Sequence, residues 1–246
     1  MMSVALLLYP IFANLYNEKV MEALIVDYDE MVSIADEDVL AEEYQKAAEY
    51  NSGSSEYSYD DVLWLSESGM MGYIEIPSID VCLPIYHYTD DESLKEGVGH
   101  IETSSLPVGG ASTHCLLAGH RGLPGSKLFT DLDQVEIGDV FYLHVAGQTL
   151  AYEVTSIEVV LPDETEGLGI TAGEDLCTLV TCTPYGINSH RLLVTGTRTE
   201  YVEEEEEEAD NNILSELLSL DMILVYVAIA ETAAFIFLLA KRKRAA

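Results

Sequence analysis

The sequence predicts an all-β domain that follows a helical segment and precedes a transmembrane helix. From residue 71 onward, at least six short apolar or alternating segments are separated by Gly, Pro and Asp turns. An acidic run and then a long apolar segment come after them. Short strands in this number and spacing are typical of a closed barrel or a sandwich.

Composition limits the function of the domain. The chain has 246 residues with 44 acidic and 11 basic side chains, and its formal net charge is −33. Four of the basic residues form the run at 241–244, so the rest of the chain contains seven. Such an acidic surface excludes sequence-independent binding to nucleic acid. It also makes each arginine outside that run a candidate for a specific role.

The N-terminal part is predicted to be helical. Residues 1–16 are apolar but short, contain Pro10 and lack a preceding basic region, so they are interpreted as a partial signal anchor. A cleaved signal peptide is the alternative. Residues 17–51 have apolar side chains at helical spacings without Pro or Gly, and they are predicted to form a helical lead. The composition of the residues that follow them predicts a loop.

Each predicted strand of the domain at 71–200 corresponds to an apolar or alternating segment. The segments are "GYIEIPSIDVCLPIY", "THCLLAGH", "DVFYLHV", "TLAYEVTSIEVVL", "LCTLVTC" and "RLLVTGTR".

The C-terminal part is predicted to cross a membrane. Residues 201–212 form an acidic spacer, and residues 213–240 contain the apolar run Met222–Ala240. As a helix that run would span about 28 Å. The basic tail at 241–246 puts its own end in the cytoplasm by the positive-inside rule, so the domain lies outside the cell. A buried helix of a soluble protein is the alternative, and Glu231 is an unusual charge within the span.

Cys182 is the first candidate for chemistry, because it stands where a predicted strand gives way to a turn-rich loop. Arg191 begins the next strand, so a loop at 183–190 would return its guanidinium to the thiol, where it can stabilise a thiolate or an oxyanion. A buried, inert cysteine fits the residue types equally well. Cys177 is not a disulfide partner, since five strand residues separate the two cysteines by about 16 Å, against a limit of about 7 Å.

Of the six histidines, His120 is the best placed for catalysis, since it ends an apolar segment between two glycines. His144 lies within an alternating strand and is expected to have a structural role. A metal site formed by His114, Cys115 and His120 is disfavoured, because their spacing is not that of zinc ligands.

Several long stretches resemble the sortase family. The stretch "TLVTCTPYGINSHRLLVTGTR" is similar to the family's active-site signature, T-L-x-T-C followed by an arginine, and "LPVGGASTHCLLAGHRGLPGSKLFTDL" is similar to its histidine segment. The resemblance continues through "GYIEIPSIDVCLPIY" and "KEGVGHIETSSLPVGG" and covers residues 71–200. The motifs "CTPYG" and "GHRGLP", the helical lead and the second membrane helix resemble class C, the pilus-polymerising sortases.

The resemblance implies a closed eight-stranded β-barrel between the helical lead and the transmembrane helix. It implies Cys182 as the nucleophile, His120 as the general acid/base and Arg191 as the clamp for substrate and oxyanion, without a metal or cofactor. Thr181 and Tyr185 are predicted to line the substrate pocket.

The implied reaction is transpeptidation at an LPxTG-like sorting signal of a surface protein or pilin. Cys182 attacks the Thr carbonyl, and an amine resolves the thioester. In pilus assembly the amine is a pilin lysine. A sortase that attaches proteins to peptidoglycan, using a cell-wall peptide, is one alternative, and a non-catalytic sortase-fold surface module is another.

A lid is also expected from the resemblance. Class C sortases carry a lid with an Asp-Pro-aromatic motif before the barrel, and residues 52–70 are the corresponding loop. This loop has Asp60, Asp61 and Trp64 but no Asp-Pro pair. Either these side chains cover the cleft or the site is open.

Overall fold

The computed structural model describes residues 2–54, 56–66, 69–164 and 167–201, with side chains from residue 12 onward. Apart from its first residue, the predicted acidic spacer lies outside these ranges, and so do the predicted transmembrane helix and basic tail. Within the described ranges, none of the helices combines the length and apolar character that a bilayer-spanning helix needs.

Two helices precede the barrel. α1 (Met2–Ile34) runs without a break through Pro10, and α2 (Glu37–Asn51) follows after a two-residue break. Asp36 caps α2, because its side chain accepts a hydrogen bond from the Asp38 amide at 3.1 Å. The predicted helical lead is therefore divided between two helices, and the first of them includes the residues interpreted as a partial anchor.

Eight strands form a closed barrel, as the resemblance predicts. In chain order they are β1 (Met70–Ile76), β2 (Val81–Tyr86), β3 (Val98–His100), β4 (Thr113–Ala118), β5 (Val140–Val145), β6 (Gln148–Val160), β7 (Asp175–Thr183) and β8 (His190–Thr199). Around the barrel the order is β1-β2-β3-β4-β7-β8-β6-β5, and β5 closes on β1. The pairs β2–β3 and β4–β7 are parallel, and the other six pairs are antiparallel.

The strand prediction merged two strands and missed a third. The segment "GYIEIPSIDVCLPIY" contains both β1 and β2, because Pro77–Ile79 form a 3-10 turn and Asp80 adopts a left-handed conformation with φ of 51°. β3 has only three residues, which is too short to show an alternating pattern. Its pairing with β2 and β4 defines it instead.

Alternate strand positions fill the barrel interior. In β5, Phe141, Leu143 and Val145 are buried while the residues between them are partly exposed. The Phe141 ring packs against Gly196 of β8, where an added Cβ would lie 2.6 Å from a ring carbon. The core is therefore packed closely enough to require glycine at that position.

Tyr28 fastens α1 to the barrel. Its hydroxyl donates to the Met71 carbonyl oxygen and accepts from the Ala146 amide, both at 3.0 Å. Burial raises the pKa of Tyr28 to about 12, so the hydroxyl stays protonated and can make both bonds. The helix thereby contacts β1 and the β5–β6 turn through one buried side chain.

Tyr28→Phe is expected to lower the free energy of unfolding by about 1–3 kcal/mol, because two buried backbone groups lose their partner. Urea denaturation followed by circular dichroism measures it. Tyr16→Phe is the matched control on the same helix, where the side chain is 71% exposed. The control is expected to change the free energy by less than about 0.5 kcal/mol. Equal effects of the two substitutions would contradict the role assigned to Tyr28.

Candidate active site

Three adjacent strands bring the predicted catalytic residues to one end of the barrel. β7 lies between β4, which is parallel to it, and β8, which is antiparallel. Cys182 is the penultimate residue of β7, Arg191 is the second residue of β8, and His120 follows the end of β4 by two residues. Parallel strands end at the same edge of a sheet and an antiparallel neighbour begins there, so the three residues share that edge.

Cys182 faces away from the barrel interior. Cys177 and Leu179 are fully buried and Thr181 is 2% exposed, whereas Cys182 is partly exposed. The two-residue period of a strand puts Cys182 on the face opposite to these three residues, and that face is buried at Leu176 and Thr178 but accessible at the end of the strand. Cys177 therefore belongs to the core and Cys182 to the rim, as their odd spacing predicts.

Arg191 is the direct cross-strand partner of Cys182. Residues opposite one another on antiparallel strands project from the same face of the sheet. The Nη1 atom of Arg191 donates to the carbonyl oxygens of His190 at 3.1 Å and Asn188 at 3.4 Å. In the part of the chain that the structure describes, its guanidinium forms no ion pair with a carboxylate. The remaining N–H groups and the charge are thus available to a ligand.

His120 is fixed through the backbone on either side of it. The Gly119 amide donates to the Val180 carbonyl oxygen at 3.0 Å, and the Thr181 hydroxyl donates to the Gly119 carbonyl oxygen at 2.8 Å. The His120 carbonyl oxygen accepts from the Phe129 amide at 3.1 Å. A Cβ at position 119 would lie 2.6 Å from the Phe129 ring, so glycine is required there. These contacts bind the segment that carries His120 to the end of β7.

The two predicted pocket residues have different surroundings. Thr181 is buried, and its hydroxyl is engaged in the junction between β4 and β7. Tyr185 is 61% exposed, and its ring packs on Gly122, where an added Cβ would lie 2.8 Å from a ring carbon. Gly122 has φ of +73°, a conformation that glycine adopts without strain. Tyr185 therefore covers the loop after His120 and keeps much of its ring exposed.

The predicted lid residues have partners of their own. Trp64 stacks on His87, with ring centroids 4.4 Å apart and an interplanar angle of 11°. Asp60 accepts a hydrogen bond from the Tyr88 hydroxyl, and Asp61 caps its own 3-10 turn. These contacts hold the segment to the residues that follow β2, and β3 and β4 lie between β2 and β7. The lid role stays a prediction.

Other histidines have structural contacts. His144 stacks on Tyr73 with ring centroids 4.3 Å apart, in line with the structural role expected for it. His114, from the disfavoured metal set, is buried between the Gly169 carbonyl oxygen at 3.0 Å and the Thr178 hydroxyl at 2.7 Å. It therefore joins β4 and β7 to the loop after β6.

Sequence reasoning missed Arg121. It follows His120 directly, its side chain is 7% exposed, and it donates a hydrogen bond to Thr183, the residue after Cys182. The composition could have indicated it, because Arg121 is one of three arginines outside the basic tail. Its partner could not be inferred from the sequence, because the contact joins residues 62 positions apart.

Comparison with known proteins identifies the family. The family model described as "Sortase domain" matches residues 74–199, slightly more than half of the chain. The chain belongs to the sortase family. Sortase A of Bacillus anthracis is 30% identical over 132 residues, which are 54% of this chain and 61% of that relative. Sortase D of Bacillus subtilis is 28% identical over 163 residues, 65% of this chain and 79% of that relative. The chain thus spans less than two thirds of the Bacillus anthracis relative.

Solved class C sortases share the fold. Sortase C1 of Streptococcus agalactiae is 42% identical with a TM-score of 0.69, covering 73% of this chain and 100% of that one. Sortase C-1 of Actinomyces oris is 48% identical with a TM-score of 0.62, covering 66% and 99%. The predicted resemblance to class C and the predicted eight-stranded barrel are confirmed.

The four cysteines are expected to react at different rates with iodoacetamide. Cys115 and Cys177 are buried and should stay unmodified in the folded protein. Cys82 is exposed at the mouth of a crevice of about 320 Å³ between α1 and β2, but desolvation by its surroundings, and then nearby carboxylates such as Glu75, raise the pKa of its thiol to about 12. Little of it is thiolate at pH 8. Cys182 is therefore expected to be modified first, as measured by peptide mass spectrometry.

Modification of Cys82 ahead of Cys182 would contradict this assignment, and Cys182→Ser is the control that should lose the fast adduct. The same kinetics test the lid prediction. If Trp64 covers the cleft, Trp64→Ala speeds the modification of Cys182, whereas unchanged kinetics would remove the lid interpretation.

Proposed function

We propose that the chain is a cysteine transpeptidase of the class C type. It cleaves an LPxTG-like sorting signal between Thr and Gly and transfers the acyl group to an amine. The observation that carries the proposal is the meeting of Cys182, His120 and Arg191 at one edge of three adjacent strands. A partly exposed thiol opposite a guanidinium that pairs with no carboxylate of the described residues suits nucleophilic attack on a carbonyl carbon.

In the first half of the reaction, the Cys182 sulfur attacks the Thr carbonyl carbon of the signal. His120 takes the thiol proton, and the carbonyl oxygen becomes an oxyanion that Arg191 stabilises through its free N–H groups. The C–N bond to glycine then breaks as His120 donates its proton to the departing amine. The product is a thioester on Cys182.

In the second half, an amine attacks the thioester carbon. His120 accepts the proton of the incoming amine and returns it to the Cys182 sulfur as the C–S bond breaks. A thioester remains reactive toward amines, so the energy of the cleaved peptide bond is kept for the new amide bond. The reaction needs no metal or cofactor.

Apolar side chains around Arg191 support a peptide substrate that begins with Leu-Pro. β6 pairs with β8 so that Val160 lies opposite Arg191, and Leu161, the residue that follows Val160, is exposed. Ile187 in the β7–β8 loop is exposed as well. An apolar rim beside a cation fits a short signal that combines apolar side chains with polar backbone.

We propose a pilin lysine as the amine. The identity to the solved sortases C is 40–48%, against 29–32% to the relatives named sortase A. This difference favours pilus polymerisation over attachment of surface proteins or assembled pili to peptidoglycan. The presence of Cys182, His120 and Arg191 together speaks against a non-catalytic module.

The proposed location is the cell membrane, with the domain outside and the C-terminus in the cytoplasm. Its support is the apolar sequence at 213–240 and the basic tail at 241–246, both of which lie outside the described residues.

Incubation of the full chain with an LPxTG-type peptide is expected to give an acyl adduct on Cys182, detected by mass spectrometry. Cys182→Ala should abolish the adduct, and Arg191→Ala should slow its formation about a hundredfold or more, since the oxyanion loses its donors. Cys82→Ala is the matched control and should leave the rate unchanged. Absence of an adduct in the wild type, under conditions in which a known class C sortase forms one, would overturn the proposal.

Co-expression with candidate pilins separates the two possible amines. A ladder of covalent polymers that disappears with Cys182→Ala supports the pilin lysine. Single attachment to cell-wall peptide without a ladder supports the alternative.

A further inference from the structure

Arg121 joins the two segments that carry the proposed acid/base and the proposed nucleophile. It follows His120 directly, and its Nη1 atom donates to the Thr183 hydroxyl at 3.1 Å, one residue beyond Cys182. Its Nη2 atom pairs with the Asp133 carboxylate in a short 3-10 turn. One guanidinium therefore links the loop after β4, the end of β7 and that turn.

The surroundings of the Arg121 guanidinium fix its orientation toward Thr183 and Asp133. The Arg121 side chain is 7% exposed, and Asp133 offsets its charge. The planar guanidinium has its N–H groups in a fixed fork, so two partners in different segments define its orientation. The exposed pair of Lys19 and Glu22 is different, because both side chains are solvated and such pairs impose little geometry.

The Nε atom of Arg121 is buried and has no hydrogen-bond partner among the residues that the structure describes. Buried donors in native proteins are nearly always paired, because an unpaired donor destabilises the fold. The orientation of this side chain is therefore set by Thr183 and Asp133, at the expense of a third bond.

Backbone contacts join the β4 side of His120 to β7, whereas the carbonyl oxygen of His120 accepts from the Phe129 amide in its own loop. The bonds of Gly119 with Val180 and Thr181 hold the residue before His120 against β7. The bond from Arg121 to Thr183 holds the residue after it against the next part of the same strand end. The residues before and after His120 are thus both held against β7. Their contacts lie at Val180 and Thr181 on one side of Cys182 and at Thr183 on the other.

We propose that Arg121 is a positioning residue that sets the approach of the His120 imidazole to the Cys182 thiol. The role rests on the proposed function, in which the two groups exchange a proton. The two arginines near the thiol then have separate roles. Arg191 keeps its charge for the substrate, whereas the charge of Arg121 is paired with Asp133 and maintains geometry.

The test removes the Thr183 hydroxyl and then restores it. Thr183→Val is expected to lower kcat for cleavage of an LPxTG-type peptide about tenfold and to leave KM within about twofold, since a misplaced acid/base slows the chemical step and not binding. Thr183→Ser keeps the hydroxyl and should stay within about twofold of the wild-type kcat. Thr155→Val is the matched control. It also removes a threonine hydroxyl that makes a cross-strand hydrogen bond, in this case to the Thr197 hydroxyl between β6 and β8.

A double variant shows whether Thr183 acts through Arg121. If the two act through one contact, Arg121→Met combined with Thr183→Val loses no more activity than Arg121→Met alone. Additive losses would overturn the proposal. Thermal denaturation of each variant establishes that it is folded. If Arg121→Met does not fold, the comparison of Thr183→Val with Thr183→Ser still tests the proposal.

A second readout needs no peptide. The pH profile of iodoacetamide modification reports how readily Cys182 forms a thiolate, which a nearby imidazolium favours. Thr183→Val should move this profile toward higher pH, and Thr183→Ser should not. If the wild type fails to cleave the peptide but the profile moves, the proposed function falls and the positioning role stands. Unchanged profiles and unchanged kcat in both Thr183→Val and Arg121→Met would overturn the positioning role.

Discussion

The parallel pairing of β4 with β7, extended by antiparallel β8, is the constraint on which the site depends. It aligns Ala118 with Val180 and Cys182 with Arg191, so residues far apart in sequence meet at one edge. A slip of one residue in β7 would turn Cys182 into the barrel and expose its buried neighbours. The core prevents this slip, because Leu117 and Leu179 are register partners that are both fully buried.

Charge gives the site its second constraint. The chain carries 44 acidic residues, so a cation near the barrel rim would ordinarily be neutralised by a neighbouring carboxylate. Arg121 is neutralised in this way by Asp133, whereas the partners of Arg191 among the described residues are backbone carbonyl oxygens. The same residue type thus supplies a structural link at one position and an available charge at the other. The difference arises from their partners and not from their distance to Cys182 along the chain.

Local pattern was sufficient for much of the fold and for part of the site. The alternation in β5 and the apolar run of β7 are properties of single segments, so the sequence reveals them. The approach of Arg191 to Cys182 also follows from local sequence, since only a short loop separates β7 from β8. β3 was not predicted, because three residues are too few to show an alternating pattern. Its position depends on its pairing with β2 and β4.

Long-range contacts could not be predicted in the same way. The bond of Arg121 with Thr183 crosses the β4–β7 junction, and the stacking of Trp64 on His87 joins the predicted lid to the end of β2. Both depend on how the barrel closes, which no single segment specifies. Resemblance to sortases supplied the closure and the role of His120, but it did not indicate these contacts.

Disulfide trapping tests the central claim, that the β7–β8 register sets Cys182 opposite residue 191. Cross-strand Cα atoms lie about 4.5–5.5 Å apart, within the range that a disulfide spans. Under mild oxidation, Arg191→Cys should form a disulfide with Cys182, identified by peptide mass spectrometry. His190→Cys should not, because residue 190 pairs with Thr183 on the other face. Bonding of Cys182 to position 190 in preference to position 191 would contradict the account.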